Sequence, residues 1–206
     1  MIDHLVYATT DLDATVAEMA ERLGAEPSPG GAHIGLGTRN ALVNLGDGAY
    51  LELVGPDPAQ PDPDQPRPFG IDDLSRPRLV AWCARPSQPL ESVAASAAWD
   101  IGPVNSMSRL RPDGVRLAWR LTFPILDRAG IGILPFFIDW LDSPHPTGGL
   151  HQPIRLVSLH IESADAERLA DRLASCGEAE RIELLPGDRT RLSALLDTPR
   201  GPLQLS

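Results

Sequence analysis

Two side chains able to hold a metal or move a proton stand in the first third of the chain. His4 lies in the run IDHLVYATT and Glu52 in the run YLELVG. Both runs are short and rich in β-formers, and successive side chains on a strand point to opposite faces. Leu51 and Leu53 flank Glu52, so burying both leucines turns Glu52 the other way. An imidazole and a carboxylate meeting from two strands offer two ligands to a divalent cation, or a general base with an orienting partner. A glutamate simply solvated at a strand end is the plain alternative.

Other polar residues admit two readings each. His33 and Asn40, in PGGAHIGLGTRN, serve either a ligand or the hydrogen bonding of a turn and edge. Arg109, Arg111 and Arg116 flank Asp113-Gly114, where solvated charge is the default, although one guanidinium could hold a carboxylate through two hydrogen bonds. Trp119 and Trp140 suit a pocket wall or ordinary packing, and Asp139 in FFIDW could meet a ligand. His145, between two prolines, belongs to a loop, and His151 reads as surface. Cys83 and Cys176 lack CxxC spacing and read as buried thiols. All 18 basic residues are arginine, which excludes Schiff-base chemistry on lysine and suggests a GC-rich, bacterial genome. No nucleophile-elbow, phosphate-loop or dinucleotide pattern is present; Gly35-Leu36-Gly37 lacks the third glycine and the following helix.

The elements needed to position His4 and Glu52 follow from periodicity. Residues 2–9 read as a strand, and 11–23 as a helix with Leu12, Val16, Met19 and Leu23 on one face and Gly24 after it. Strands at 32–36, 41–45 and 49–54, separated by glycine turns, complete a βαβββ unit. The proline density of 55–77 forbids a regular element there. The pattern restarts with a strand at 79–84, a helix at 90–99, strands at 104–110 and 115–123 joined by Pro112-Asp113-Gly114, and a strand at 133–140. It restarts again with a strand at 154–162, a helix at 165–176 and strands at 181–185, 190–196 and 202–205. The expected organisation is three βαβββ modules, 1–55, 78–140 and 154–206, with a linker or lid over 56–77 and a loop over 141–153. Aligning the first and third by eye sets Ser158 against His4 and Gln204 against Glu52. The fold class is α+β, with repeated βαβββ modules forming curved mixed sheets around a cup.

Bulk properties narrow the function. A net charge of −10 without an arginine-rich stretch excludes nucleic acid as a partner. No apolar run approaches the length of a membrane span. The opening MIDHLVYATTD lacks a basic segment followed by an apolar one, so a cytoplasmic chain starting at Met1 is the expectation.

IDHLVYATTDL, closing with YLELVG, resembles the opening module of the vicinal-oxygen-chelate superfamily of glyoxalases, extradiol dioxygenases and bleomycin-resistance proteins. PGGAHIGLGTRNALVNLGDGAYLELV, SRLRPDGVRLAWRLTFP and LPFFIDWLDSPHP are similar to one branch, the glyoxalase-like domain proteins. The resemblance implies paired βαβββ modules around an internal ligand. It also implies that metal-using members draw a His or Glu from the first strand of a module and a Glu from the last. His4 and Glu52 match; Val80 and Trp82 in module two do not, and Gln204 is a poor ligand for a hard cation.

The expected function is an enzyme of lyase, isomerase or dioxygenase type acting on a small oxygenated metabolite. Its metal (Zn, Ni, Fe or Mn) would be weakly held by His4 and Glu52, with Asp139 as a further candidate. Glu52 would be the catalytic base, and His33, Asn40, Trp119 and Asp139 would bind substrate. A metal-free binding or drug-sequestering protein is the alternative, and an interaction module with a filled cup the third reading. An odd number of modules in a fold that pairs them points to a homodimer.

Overall fold

The computed structural model describes residues 1–111, 114–150, 154–175, 177 and 181–206. The Pro112-Asp113 part of the expected hairpin turn, His151 and Cys176 fall outside them. Strand β1 (Ile2–Ala8) is buried along its whole length, as a near-continuous apolar run with both faces covered demands. Helix α1 (Leu12–Leu23) starts at Asp11, whose carboxylate accepts the Ala14 N–H at 3.0 Å, and stops at Gly24 in the left-handed conformation. Its buried stripe is Leu12, Thr15, Met19 and Leu23. Thr15 takes the place expected for Val16 because its hydroxyl donates to Thr9 Oγ1 at 2.7 Å.

Strands β2 (Ser28–His33), β3 (Thr38–Asn44) and β4 (Tyr50–Pro56) complete the first unit. The second comprises β5 (Arg78–Ala84), α2 (Leu90–Ser96), β6 (Asn105–Leu110), β7 (Arg116–Leu121) and β8 (Phe136–Asp139). Helix α2 ends before Trp99, whose ring instead stacks on Phe137 at 6.1 Å. The eight strands form one sheet in the order β2-β3-β4-β1-β5-β8-β7-β6. In each half the first strand runs parallel to the last, and the halves join where β1 and β5 pair antiparallel, His4 opposite Cys83. The sheet curls until its edges approach: Arg109 of β6 donates to Gly30 O of β2 at 2.6 Å.

The third unit is β9 (Arg155–Ser163), α3 (Ala166–Ser175), β10 (Ile182–Pro186), β11 (Arg191–Thr198) and β12 (Gly201–Leu205). Its order is β10-β9-β11-β12, so β9 pairs with β10 and β11, and β12 lies one strand further out. In the first unit β1 pairs with β4. Ser158 and Gln204 are therefore not equivalent to His4 and Glu52: Ser158 faces Leu195, and Gln204 pairs with that same Leu195 from the far side. The expectation from chain order fails because order does not fix which strands pair.

Two apolar layers result. One joins Leu5, Leu51, Leu53, Trp82 and Phe137 to α1, α2 and the third unit, through Leu159 and Leu196 of its sheet and Leu169 of α3. The other lines the concave face with Val6, Val54, Val80, Phe136 and Ile138. The four-stranded sheet thus covers the convex side and leaves the cup to the first two units.

Candidate active site in the cup

Strand alternation delivers the polar residues of the cup. With Leu51 and Leu53 in the convex core, Glu52 turns inward, and with Leu5 and Tyr7 there as well, His4 does the same. His4 Nε2 and Glu52 Oε2 are 3.7 Å apart, and both residues are buried. Two atoms each about 2.1 Å from one divalent ion lie at about such a separation.

Asp3 fixes the other side of the imidazole. It is fully buried, with Oδ1 2.8 Å from His4 Nδ1. Oδ2 accepts the Trp140 Nε1–H at 3.1 Å and lies 3.1 Å from His145 Nε2. Burial alone would raise the pKa of Asp3, but hydrogen bonds from His145 and His4 outweigh it and hold the carboxyl well below the ordinary carboxylate range. An ionised Asp3 accepts from His4 Nδ1–H, so the Nε2 lone pair of neutral His4 faces Glu52. Tyr50 stacks on the His4 ring at 4.7 Å, and Phe136 meets it edge-on at 5.3 Å.

Asn40 organises the far side of Glu52. Its Oδ1 accepts the Gly31 N–H at 3.0 Å, which turns the amide NH₂ inward. That NH₂ donates to Glu52 Oε1 at 2.5 Å and faces His33 Nε2 at 3.2 Å. His33 therefore carries its proton on Nδ1 and donates to Thr38 Oγ1 at 3.0 Å. Burial lowers its pKa, consistent with a neutral ring. The double glycine of the sequence has its reason here: a Cβ on Gly30 would lie 2.0 Å from Asn40 Oδ1. Glu52 Oε2 accepts no hydrogen bond among the described residues and stays open to the cup.

Around this polar floor the walls are apolar: Leu42, Phe69, Met107, Trp119, Leu121, Phe136, Ile138 and Trp140, around a space that opens to solvent at its mouth. Trp119 and Trp140 pack against each other at 5.4 Å. Part of the proline-rich segment covers this space, with Pro68 and Phe69 on its inner side. Phe69 holds φ at 64°, a left-handed conformation that costs a bulky residue energy and occurs where a side chain is being aimed.

Of the residues singled out from the sequence, His4, His33, Asn40, Glu52, Arg109, Trp119 and Trp140 line this cup. Asp139 does not: Ile138 and Trp140 face inward, so Asp139 between them points away, 2.9 Å from Arg120 Nη2, with Glu91 of α2 on the same guanidinium. It stands outside the cup. Asp3, Tyr50 and Phe69 escaped notice as functional residues, whereas Arg109 reads as a carboxylate anchor or solvated charge, and His145 as a loop residue. A carboxylate beside a histidine at the start of a buried strand, as Asp3 is, was a readable signal, because a buried charge must be partnered.

The glyoxalase-like domain family matches residues 2–177. The chain belongs to the glyoxalase-like domain family. No curated protein matches the sequence. A hypothetical protein from Staphylococcus aureus shares the fold at a TM-score of 0.63 and 15% identity, covering 92% of this chain and 87% of that one. Methylmalonyl-CoA epimerase from Mycobacterium tuberculosis matches at a TM-score of 0.41 and 19% identity, covering 66% of this chain and 85% of that one. The Streptomyces coelicolor epimerase in complex with 2-nitronate-propionyl-CoA gives 0.42 and 19%, covering 71% and 98%. No helix among the described residues of this glyoxalase-like domain is long and apolar enough to cross a membrane.

The donor set of this family member fits a metal only in part. In the second unit the inward positions are Val80, Cys83, Phe136 and Ile138, so among the described residues that unit turns no His/Glu pair into the cup. Asp3, His4 and Cys83 each bring one potential ligand atom within 4.8 Å of the others. The oxygens of Asp3 already take His4, His145 and Trp140, which leaves that cluster little to offer an ion. His4 Nε2 and Glu52 Oε2 are the open pair.

Proposed function

We propose that the chain is a small-molecule enzyme of isomerase or lyase type, whose cup uses Glu52 as a general base beside a divalent ion held weakly by His4 and Glu52. The observation that carries this reading is the pair His4 Nε2 and Glu52 Oε2, 3.7 Å apart, both open to one enclosed apolar space. An ion bound there would polarise a carbonyl or enediolate oxygen of the substrate. Asp3 keeps the Nε2 lone pair of His4 aimed inward. Asn40 holds one Glu52 oxygen, so the other is presented in a single orientation for taking a proton from carbon. The aromatic walls exclude water, which strengthens both effects.

A second reading is favoured by one observation. Phe136 and Ile138 stand where a second ligand pair would be needed, so the cup equally suits a metal-free protein that sequesters an apolar compound. Metal analysis of protein purified without chelator separates the two. We expect sub-stoichiometric, exchangeable Zn, Ni, Fe or Mn in the wild type and none above background in Glu52→Gln, which must also lose turnover while keeping its fold. Full turnover by Glu52→Gln overturns the enzyme reading and leaves sequestration. Homodimerisation belongs to the same proposal and is tested by sedimentation; the cup itself is built from one chain.

A further inference from the structure

Guanidinium groups stay charged when buried, so an arginine withdrawn from water needs a counter-charge. Arg109 is the one buried arginine among the described residues, at 6% exposure. Four of its partly buried counterparts are paired: Arg22 with Glu18, Arg39 with Asp13, Arg67 with Asp62 and Asp72, and Arg120 with Glu91 and Asp139. Arg109 has no carboxylate within 4 Å among the described residues; Glu52, the nearest charge in the cup, lies beyond that. One N–H goes to Gly30 O at 2.6 Å, which holds the side chain across the gap between β6 and β2. A guanidinium has five N–H donors, and the rest of this one borders the cup and the cleft beside it.

We propose that Arg109 anchors the carboxylate of the cup's ligand, a small carboxylic acid whose aromatic body lies against Phe69, Trp119 and Phe136. This rests on the cup being a ligand site, as above, and names the class of ligand. A planar carboxylate matches the fork of a guanidinium with two parallel hydrogen bonds. One negative charge balances Arg109, whereas a phosphate dianion would place surplus charge near Glu52. The rings supply the remaining affinity through apolar contact.

The test compares 3-phenylpropionate with its primary amide and with phenyl phosphate, by calorimetry and by the fluorescence of the wall tryptophans. The wild type is expected to bind the acid about 10- to 100-fold more tightly than the amide, as a charged hydrogen bond would give. Arg109→Met should erase that difference, and Arg109→Lys should keep part of it. Equal binding of acid and amide overturns the proposal. So does an acid preference that survives Arg109→Met, a preference for phenyl phosphate, or no acid binding at millimolar concentration. Metal uptake is read separately. Acid binding through Arg109 without metal uptake upholds this anchor and removes the proposed chemistry, and metal uptake without acid preference does the reverse.

Discussion

Each imidazole around Glu52 has its protons set by a neighbour, Asp3 for His4 and Asn40 for His33. Asp3 is the most consequential of these neighbours. With its folded-state pKa depressed, its contribution to stability is present above the ordinary carboxylate pKa and is lost as pH falls through the folded value. Asp3→Asn sets an amide against three ring N–H donors, and should cost about 3–5 kcal/mol in urea unfolding at neutral pH. His33 works in the opposite protonation sense. Burial pulls its pKa below 6.5, so the unfolded chain binds its proton first as pH falls, and His33 destabilises the fold below that pH. Comparing urea unfolding at pH 7.5 and 5.5 should show wild type losing more stability than His33→Gln, with a slope difference of at most about 1.4 kcal/mol per pH unit. An identical slope would mean that His33 is not held neutral.

At the scale of elements, alternation made most strands readable, and for that reason the inward turn of Glu52 was legible from Leu51 and Leu53. Asp139 shows where local pattern stops. FFIDW alternates just as clearly, but which of its faces is the cup depends on β8 pairing with β5 and β7, and those partners are remote in sequence. The strand order of the third unit was hidden for the same reason. Arg109 was readable as a charge near a hairpin and not as a buried one, since its burial comes from β2 closing on β6. The β2–β3 hairpin carries the element-scale prediction. Gly30→Ala drives a methyl into the Asn40 amide and should push that amide off Glu52. The expected cost is about 1–3 kcal/mol in stability, together with weaker metal and acid binding; unchanged binding would mean that Asn40 does not position Glu52.

Over the whole molecule, one core ties the four-stranded sheet to the convex face of the eight-stranded one, while the cup lies on the other side. Unfolding should therefore be a single transition, with far-UV dichroism of both sheets coinciding with fluorescence of the four tryptophans, every one of which lies in the first two units. Leu159→Ala, in the four-stranded sheet, should shift both probes together and cost about 2–5 kcal/mol. Two separated transitions would show the third unit to be independent. The same separation of faces makes the proposed chemistry a property of the cup alone. Its most direct test is the anomalous difference map of a crystal soaked in Mn²⁺. The account predicts one peak between His4 Nε2 and Glu52 Oε2, with water completing the shell and no peak in Glu52→Gln. A peak between Asp3 and Cys83, or none at saturating Mn²⁺, would contradict it.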